Sequence, residues 1–543
     1  MPAARPIRPA NTSWLLPLLT AVTACHSPDA NKAAADREVL GILDQASAQL
    51  TGSRRHMPVE RPIDTLRQRL LRSHEPVQVS LLEALDVAAE NSRDYQRQKE
   101  TLYLAALNLT RSINDFSLRF GAGSTDSISG TADDSANARL GDDLSAQANS
   151  VAGTRIVANF VQTFLRSVLN GDGFDGSSIL DLTITQPLLR GSGRRIAREP
   201  LTQAERNVVY AMRDYERFRA QFAIDVVGDY WTVVRQMRDL DNVEASYQRL
   251  ADLRGQIEEL YNAGRRSITD LGRAKQDEFT ADAQRVTARN RLQTTLDQFK
   301  LSLGLPITSR IELDPRELDR LAARGVQPVQ IGEPEAVALS LQRRYDFRTT
   351  VDQVEDAGRR ALIAEDALNM QLDFTAAISV PAENGKGLNL DWSRINWSAG
   401  VDLDLLLNRV PLRNAYRSAL ITFDQAIRTR EQNEDQLTAN VRSALRNIHA
   451  QLVTYQIQQQ AVELGEQRFE AMTDLYNAGR VPALDKLDAQ RSLLNAQLSR
   501  NSAIVDYAIA RLALMNNLEA IRLEPHGLRF DLDLPMPQPK TAE

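Results

Sequence analysis

Leu260-Tyr261-Asn262-Ala263-Gly264-Arg265 returns later in the chain as Leu475-Tyr476-Asn477-Ala478-Gly479-Arg480. Six identical residues at an offset of 215 do not arise by chance, and the same offset sets Asp270 against Asp485, Ala274 against Ala489, Ala281 against Ala496 and Arg285 against Arg500. The chain is a tandem duplication of one large unit. Each hexapeptide closes a long stretch without helix breakers and places Gly where a helix stops, so both copies read as the turn of a helical hairpin.

Working outward from the first turn, the stretch from Pro200 to Asn262 predicts about 90 Å of continuous helix at 1.5 Å per residue, with Pro200 suited to a first helical turn. Such length is rare in a compact domain. A second helix is expected from Ser267 to Leu303, stopped by Gly304-Leu305-Pro306. Before this pair, Leu81 to Ile113 reads as helix. Phe116, Leu118 and Phe120 then alternate with other residues as a strand does, residues 121–150 are rich in Ser, Asp, Ala and Gly, Ile156 to Leu169 is amphipathic, and Leu182 to Pro187 is a second strand. The second repeat has the same order: helix from Glu335 to Leu368, strand through Leu372, Phe374 and Ile378, a turn at Asn384-Gly385-Lys386-Gly387, strand from Trp397 to Leu407, and helices from Leu412 to Leu475 and Pro482 to Met515. Residues 306–334, with four prolines, form the linker, and the proline-rich 534–543 read as a disordered tail.

Along the last helix Leu484, Leu487, Leu494, Leu498, Val505 and Leu512 fall at heptad spacing, which predicts coiled-coil packing. In the last strand Val401, Leu403 and Leu405 alternate with Asp402 and Asp404, so one face is apolar and the other acidic. A soluble sandwich would turn the apolar face inward; an outer-membrane barrel would turn it to lipid and line its lumen with the acids. Two strands per repeat cannot close a barrel alone, so the second reading needs several chains around one barrel.

The net charge of −6 excludes the basic excess that nucleic-acid binding requires, and no partner of that class is expected. Cys25 is the single cysteine, so no intramolecular disulfide and no cysteine-based metal centre can form. It follows a secretory signal: Arg5 and Arg8 without acids, an apolar run from Trp14 to Val22, then Val22-Thr23-Ala24-Cys25 in an order that resembles a bacterial lipobox, which predicts removal of residues 1–24 and acylation of Cys25; the alternative is a buried free cysteine in an ordinary signal-bearing protein. That run is shorter than the about 20 residues a membrane-spanning helix needs, and no later stretch is long and apolar enough. The five histidines, His26, His56, His74, His449 and His526, are scattered without metal-ligand spacing, so neither metal nor cofactor is implied and no catalytic centre is found. Gly191-Ser192-Gly193-Arg194-Arg195 lacks the second half of either nucleotide fingerprint and reads as a bend between strand and helix.

Taken together, the duplication, the helix-strand-strand-helix-helix order, the opening Val79-Ser80-Leu81-Leu82-Glu83-Ala84-Leu85 and the turns Tyr261–Asp270 and Tyr476–Asp488 resemble the TolC-type outer-membrane efflux family, as a lipoprotein member. The resemblance implies a mixed α and β fold with very long coiled-coil helices and four strands per chain, a homotrimer closing a 12-stranded barrel among outer-membrane lipid, and helices reaching into the periplasm. It divides the chain into a lipidated extension at 25–75, repeats at 76–305 and 335–520, and a tail at 521–543. It further implies an exit duct of a tripartite efflux or type I secretion system, fed by an inner-membrane pump through a periplasmic adaptor that docks at the tips, Gly264, Arg265, Gly479 and Arg480. Asp485 and Asp488, six and nine residues after Gly479, match the family's acidic ring at the closed periplasmic entrance. His26 is not the aspartate that commonly retains lipoproteins at the inner membrane. One departure stands out: residues 121–180 are much longer than their counterpart 381–396.

Ser267 and Asp270 also have capping-box spacing, and Asp485 falls in a first helical turn, where the helix dipole favours a carboxylate. Asp488, one turn on, is not explained that way. The rival reading from another class is a periplasmic coiled-coil lipoprotein acting as scaffold or tether.

Overall fold

The computed structural model describes residues 27–530 apart from 56, 61–63, 73–75, 132–134, 168–174, 324–327, 384–388, 406 and 525–526. The signal segment, Cys25, the turn at 384–387 and the tail at 534–543 lie outside the described residues. The chain divides into two units, one of residues 1–58, 101–212 and 369–406, the other of residues 59–100, 213–368 and 407–543.

The first unit carries a six-stranded antiparallel sheet. Its strands are β2 (Arg119–Thr131), β3 (Ser135–Asn149), β4 (Arg155–Ser167), β5 (Asp175–Pro187), β7 (Gln371–Pro381) and β8 (Asn396–Asp404), paired in that order; β1 (Val77–Gln78) and β6 (Ile311–Glu312) belong to the other unit. Four strands were expected, and β3 and β4 correct that number. The reason is chemical. Residues 121–150 are poor in the β-branched and aromatic side chains that announce a strand, yet they alternate: Ala138, Leu140, Leu144, Ala146 and Ala148 against Arg139, Asp143, Ser145, Gln147 and Asn149. Ile156, Phe160 and Phe164, which suit a helix at a spacing of four, suit a strand equally well because four is also a multiple of two. The register carries one apolar face across the sheet, Phe120 opposite Ala146, Ala146 opposite Ala158, Ala158 opposite Leu182, Leu182 opposite Ile378 and Ile378 opposite Trp397. The first unit also holds α1 (Pro28–Thr51), capped by Ser27, whose Asp36 accepts a hydrogen bond from the Tyr103 hydroxyl.

The second unit is helical. A capping box at Ser80 and Glu83 opens α3 (Leu81–Asn91), after α2 (Leu66–Arg72) and before α4 (Arg93–Asp115), whose first turns lie in this unit. The two long hairpins are α5 (Glu199–Asn262), of which residues 213–262 lie in this unit, with α6 (Ile268–Ser302), and α10 (Val410–Asn477) with α11 (Ala483–Asn517). Between them stand α7 (Glu317–Ala323), α8 (Glu333–Arg343) and α9 (Tyr345–Asp366). The linker is not bare: β6 (Ile311–Glu312) pairs in parallel with β1 (Val77–Gln78). After the last helix, β9 (Ile521–Glu524) pairs with β10 (Gly527–Phe530). The core packs Tyr230 edge-on against Trp231 and Phe299, with Leu303, Leu514, Met515 and Leu518 fully enclosed. Leu487, Leu494, Val505 and Leu512 of the heptad row are buried; Leu484, at 41% exposed, points away, so the packed row begins one turn later than the spacing suggests.

Candidate functional site

Both hairpin tips are built by the same local chemistry. The Arg265 amide donates to the Leu260 carbonyl (2.8 Å) and the Gly264 amide to that of Tyr261 (2.9 Å), while Arg480 and Gly479 repeat these bonds to Leu475 and Tyr476 at 2.9 Å each. The six-to-one bond closes the last helical turn only if the residue before Arg is left-handed, and the glycines have φ of +70° and +72°. Gly264, Arg265, Gly479 and Arg480 are all exposed.

Behind the turns the two tips meet. Leu253, Ile257, Leu271 and Ala274 of the first hairpin enclose Tyr476, Ala483 and Leu487 of the second in one apolar cluster. The Tyr476 ring lies 5.4 Å from the Arg266 guanidinium carbon and 5.2 Å from Lys486 Nζ, a cation from each tip on one aromatic ring. Burial pushes the Lys486 ammonium below its ordinary pKa.

The acidic residues after the tips differ. The Ser267 hydroxyl accepts from the Asp270 amide (3.1 Å), and the Asp270 carboxylate takes the Ser267 hydroxyl (2.9 Å) and amide (3.3 Å), so this carboxylate is spent on its own helix start. At the second tip the N-cap is Pro482, which has no N–H to give, and no side-chain cap forms. Asp485 is therefore not held back and is half-buried beside the turn. Asp488 contacts Arg491 at 3.5 Å, and the same guanidinium lies 3.0 Å from Asp277 of the first hairpin. The structure thus places Asp485 and Asp488 on one helix start and adds two residues that the sequence did not single out, Arg491 and Asp277.

A second ionic cluster was also not foreseen. Arg217 lies 3.1 Å from Glu519 and 3.4 Å from Asp346, and Arg344 holds Asp346 at 2.6 Å. Burial pushes the Glu519 carboxyl up to about 7 against the pull of Arg217, whereas for Asp346 the same burial is outweighed by Arg344 and Arg217, which hold it below its usual range. Glu519 also has φ +51°, the one described non-glycine residue in the left-handed region. The only advance signal was positional, since at the repeat offset Glu519 answers to Gly304.

In the sheet unit, Asp181, Asp373, Asp402 and Asp404 share the polar face, with Asp373 directly opposite Asp402. On the other face Phe120, Leu144, Trp397, Val401 and Leu403 are all more than half exposed. That is an apolar surface with a polar lining, the inverse of a soluble half-sheet.

Comparison with known proteins agrees with these features. Residues 336–518 match the family of outer membrane efflux proteins. The chain is 23% identical over 323 residues to outer membrane protein TolC of Escherichia coli (strain K12), a match covering 56% of this chain and 62% of TolC. It therefore spans less than two thirds of that relative's length. In fold it is similar to the outer-membrane channel OprN, with a TM-score of 0.58 at 16% identity covering 85% of this chain and 94% of OprN. It is also similar to CusC, with a TM-score of 0.59 at 15% identity covering 84% of this chain and 98% of CusC. These likenesses support a TolC-type outer-membrane efflux protein.

Proposed function

We propose that this chain is the outer-membrane channel of a tripartite efflux or type I secretion system, passing substrates from an inner-membrane pump and a periplasmic adaptor to the outside. The observation that carries this reading is the sheet, whose apolar face is exposed and whose other face bears carboxylates. In lipid, every backbone group must be paired and every edge closed, so such a sheet is stable in a membrane only as part of a barrel shared by copies of the chain. Three copies, as the family resemblance implies, make a homotrimer. Acylation at Cys25 anchors it further at the inner face of the outer membrane, where several acyl chains hold stably.

The tips are the adaptor's docking point, with Gly264, Arg265, Gly479 and Arg480 exposed where the longest helices turn. Asp485 and Asp488 are the periplasmic gate. Six carboxylates around a narrow axis focus a negative field, favour cations and bind multivalent ones. Arg491 offsets part of the Asp488 charge, so Asp485 carries the greater share.

Fractionation combined with gel migration before and after boiling tests the reading. A barrel oligomer stays with the outer membrane and runs as a slower species until heated; a protein found in the soluble periplasm, or running as a monomer throughout, overturns it. The gate is tested in planar bilayers with a trivalent cation on the periplasmic side. Asp485→Ala with Asp488→Ala abolishes block and reduces cation preference; unchanged block in a folded oligomer overturns the gate.

A further inference from the structure

The extra strands make the first repeat unlike the second, and their placement decides how wide the barrel is. The helix breaks at Ser92 and Arg344 lie 252 residues apart while the tips lie 215 apart, so the first repeat is longer by 37 residues between these points. The strand order locates the surplus. β2 and β5 answer to β7 and β8, and β3 with β4 is inserted between the first pair.

An inserted hairpin could stand outside a four-stranded wall as an external loop. Three observations argue that it is wall. First, β3 and β4 pair with both neighbours along 13 positions or nearly so: 13 between β2 and β3, 13 between β3 and β4, and 11 between β4 and β5. Second, at 15 and 13 residues they exceed the about 9–11 that a tilted strand needs to cross a bilayer. Third, their apolar residues fall on the same face as those of the other four strands: the row Ala122, Leu144, Phe160, Leu180, Val380 runs without a slip through β2, β3, β4, β5 and β7. An external loop has no reason to keep that register.

The geometry points to a barrel of eighteen strands, six from each of three copies, closed by the β8 edge of one copy pairing with the β2 edge of the next. This rests on the channel reading above. Direction allows it. The six strands alternate, so β8 and β2 run opposite ways and can join as an antiparallel pair. The two edges also ask for it: every residue of β8 and residues 121–129 of β2 are exposed, and neither edge strand pairs with the other within the chain. Because barrel diameter grows roughly in proportion to strand number, this mouth is about one and a half times as wide as a twelve-stranded one. The occupant of each edge is a second copy of this chain.

Two measurements on the full chain in outer membranes test it. Single cysteines at Leu144→Cys and Phe160→Cys, on the apolar face, and at Ser145→Cys and Asn159→Cys, on the polar face, are treated with a membrane-impermeant maleimide in intact cells. We expect the polar pair to react at least tenfold faster than the apolar pair. Equal labelling of all four, in protein that still fractionates with the outer membrane, overturns the six-stranded wall and leaves the channel reading standing; protein absent from the outer membrane overturns the channel reading itself. The edge is tested by oxidising double variants, Ser398→Cys combined in turn with Thr125→Cys, Ser127→Cys and Ser129→Cys, with each single variant as control. One register should give covalent dimers and trimers and nothing larger. A ladder that stops at the dimer, or no cross-link in any register, overturns three-fold closure through this edge.

Discussion

Asp270 and Asp485 hold the same place in two copies of one hairpin and do different things. In the first copy the residue three before the aspartate is Ser267, which has both a hydroxyl and an N–H, and the carboxylate folds back onto them. In the second it is Pro482, which has neither, so the carboxylate is left for another use. The same divergence recurs along the repeat. Tyr261 is 37% exposed while Tyr476 is 6% exposed between two cations, and Gly304 ends its helix without strain where Glu519 must enter the left-handed region. A duplication keeps the backbone and frees one copy's side chains, and the second copy here has taken the charged and strained roles.

The largest effect expected from breaking this comparison is at Gly304. A Cβ there would meet the Asn91 carbonyl oxygen at 2.3 Å and the Ser92 amide at 2.9 Å, both backbone, with φ at +72°. Gly304→Ala should cost about 3–5 kcal/mol, the sum of left-handed strain and forced displacement. Thermal unfolding followed by circular dichroism would show it as a large drop in transition temperature. Next is the tyrosine pair: Tyr476→Ala removes an enclosed ring and should cost about 3 kcal/mol, whereas Tyr261→Ala should stay below about 1. Equal losses would mean that the tips are equivalent after all. Tyr476→Phe should cost little, because the buried hydroxyl has no hydrogen-bond partner among the described residues.

Glu519 supplies the third difference, and it depends on pH. Its carboxyl is raised from 4.5 to about 7, chiefly by burial, so the folded chain holds the proton more tightly than the unfolded one. Stability from this group is complete below about pH 4.5 and is lost as pH rises through 7, by about 3 kcal/mol. Glu519→Gln should flatten that fall between pH 5 and 8, and Glu519→Gly, which restores the residue of the first repeat, should remove the backbone strain as well. A fall of the same slope in Glu519→Gln would assign the titration to another group of the cluster.

How much of this was legible beforehand varied with the chemistry. The helices were, because Pro200, Ser267, Gly264 and Gly479 are start and stop signals whose physics is local. The strands β2, β5, β7 and β8 were legible in part, through alternation that includes large residues such as Phe374 and Trp397. β3 was not, because it carries few large side chains, and alanine alternating with Asp and Ser resembles a loop until it is paired. The Arg217, Asp346 and Glu519 cluster joins positions 302 residues apart at its extremes, and no local pattern announces such a contact.

The smallest effect in free energy separates the two roles of the second aspartate most cleanly. Pro482→Ser gives the second tip the cap of the first: a hydroxyl to accept from the amide of Asp485 and an N–H for its carboxylate. A serine cap is worth about 1 kcal/mol, and loss of the proline's rigidity returns part of that, so the net gain in stability should be under about 1 kcal/mol. The effect on conduction should be larger than the effect on stability. On the proposed gate, a carboxylate folded back onto its helix start is withdrawn from the acidic ring, so block by a trivalent cation should weaken severalfold, towards the level of Asp485→Ala, with Asp488 untouched. Should Pro482→Ser raise stability and leave block unchanged, Asp485 is not the residue that binds the cation, and the gate must be carried by Asp488 against the opposing charge of Arg491.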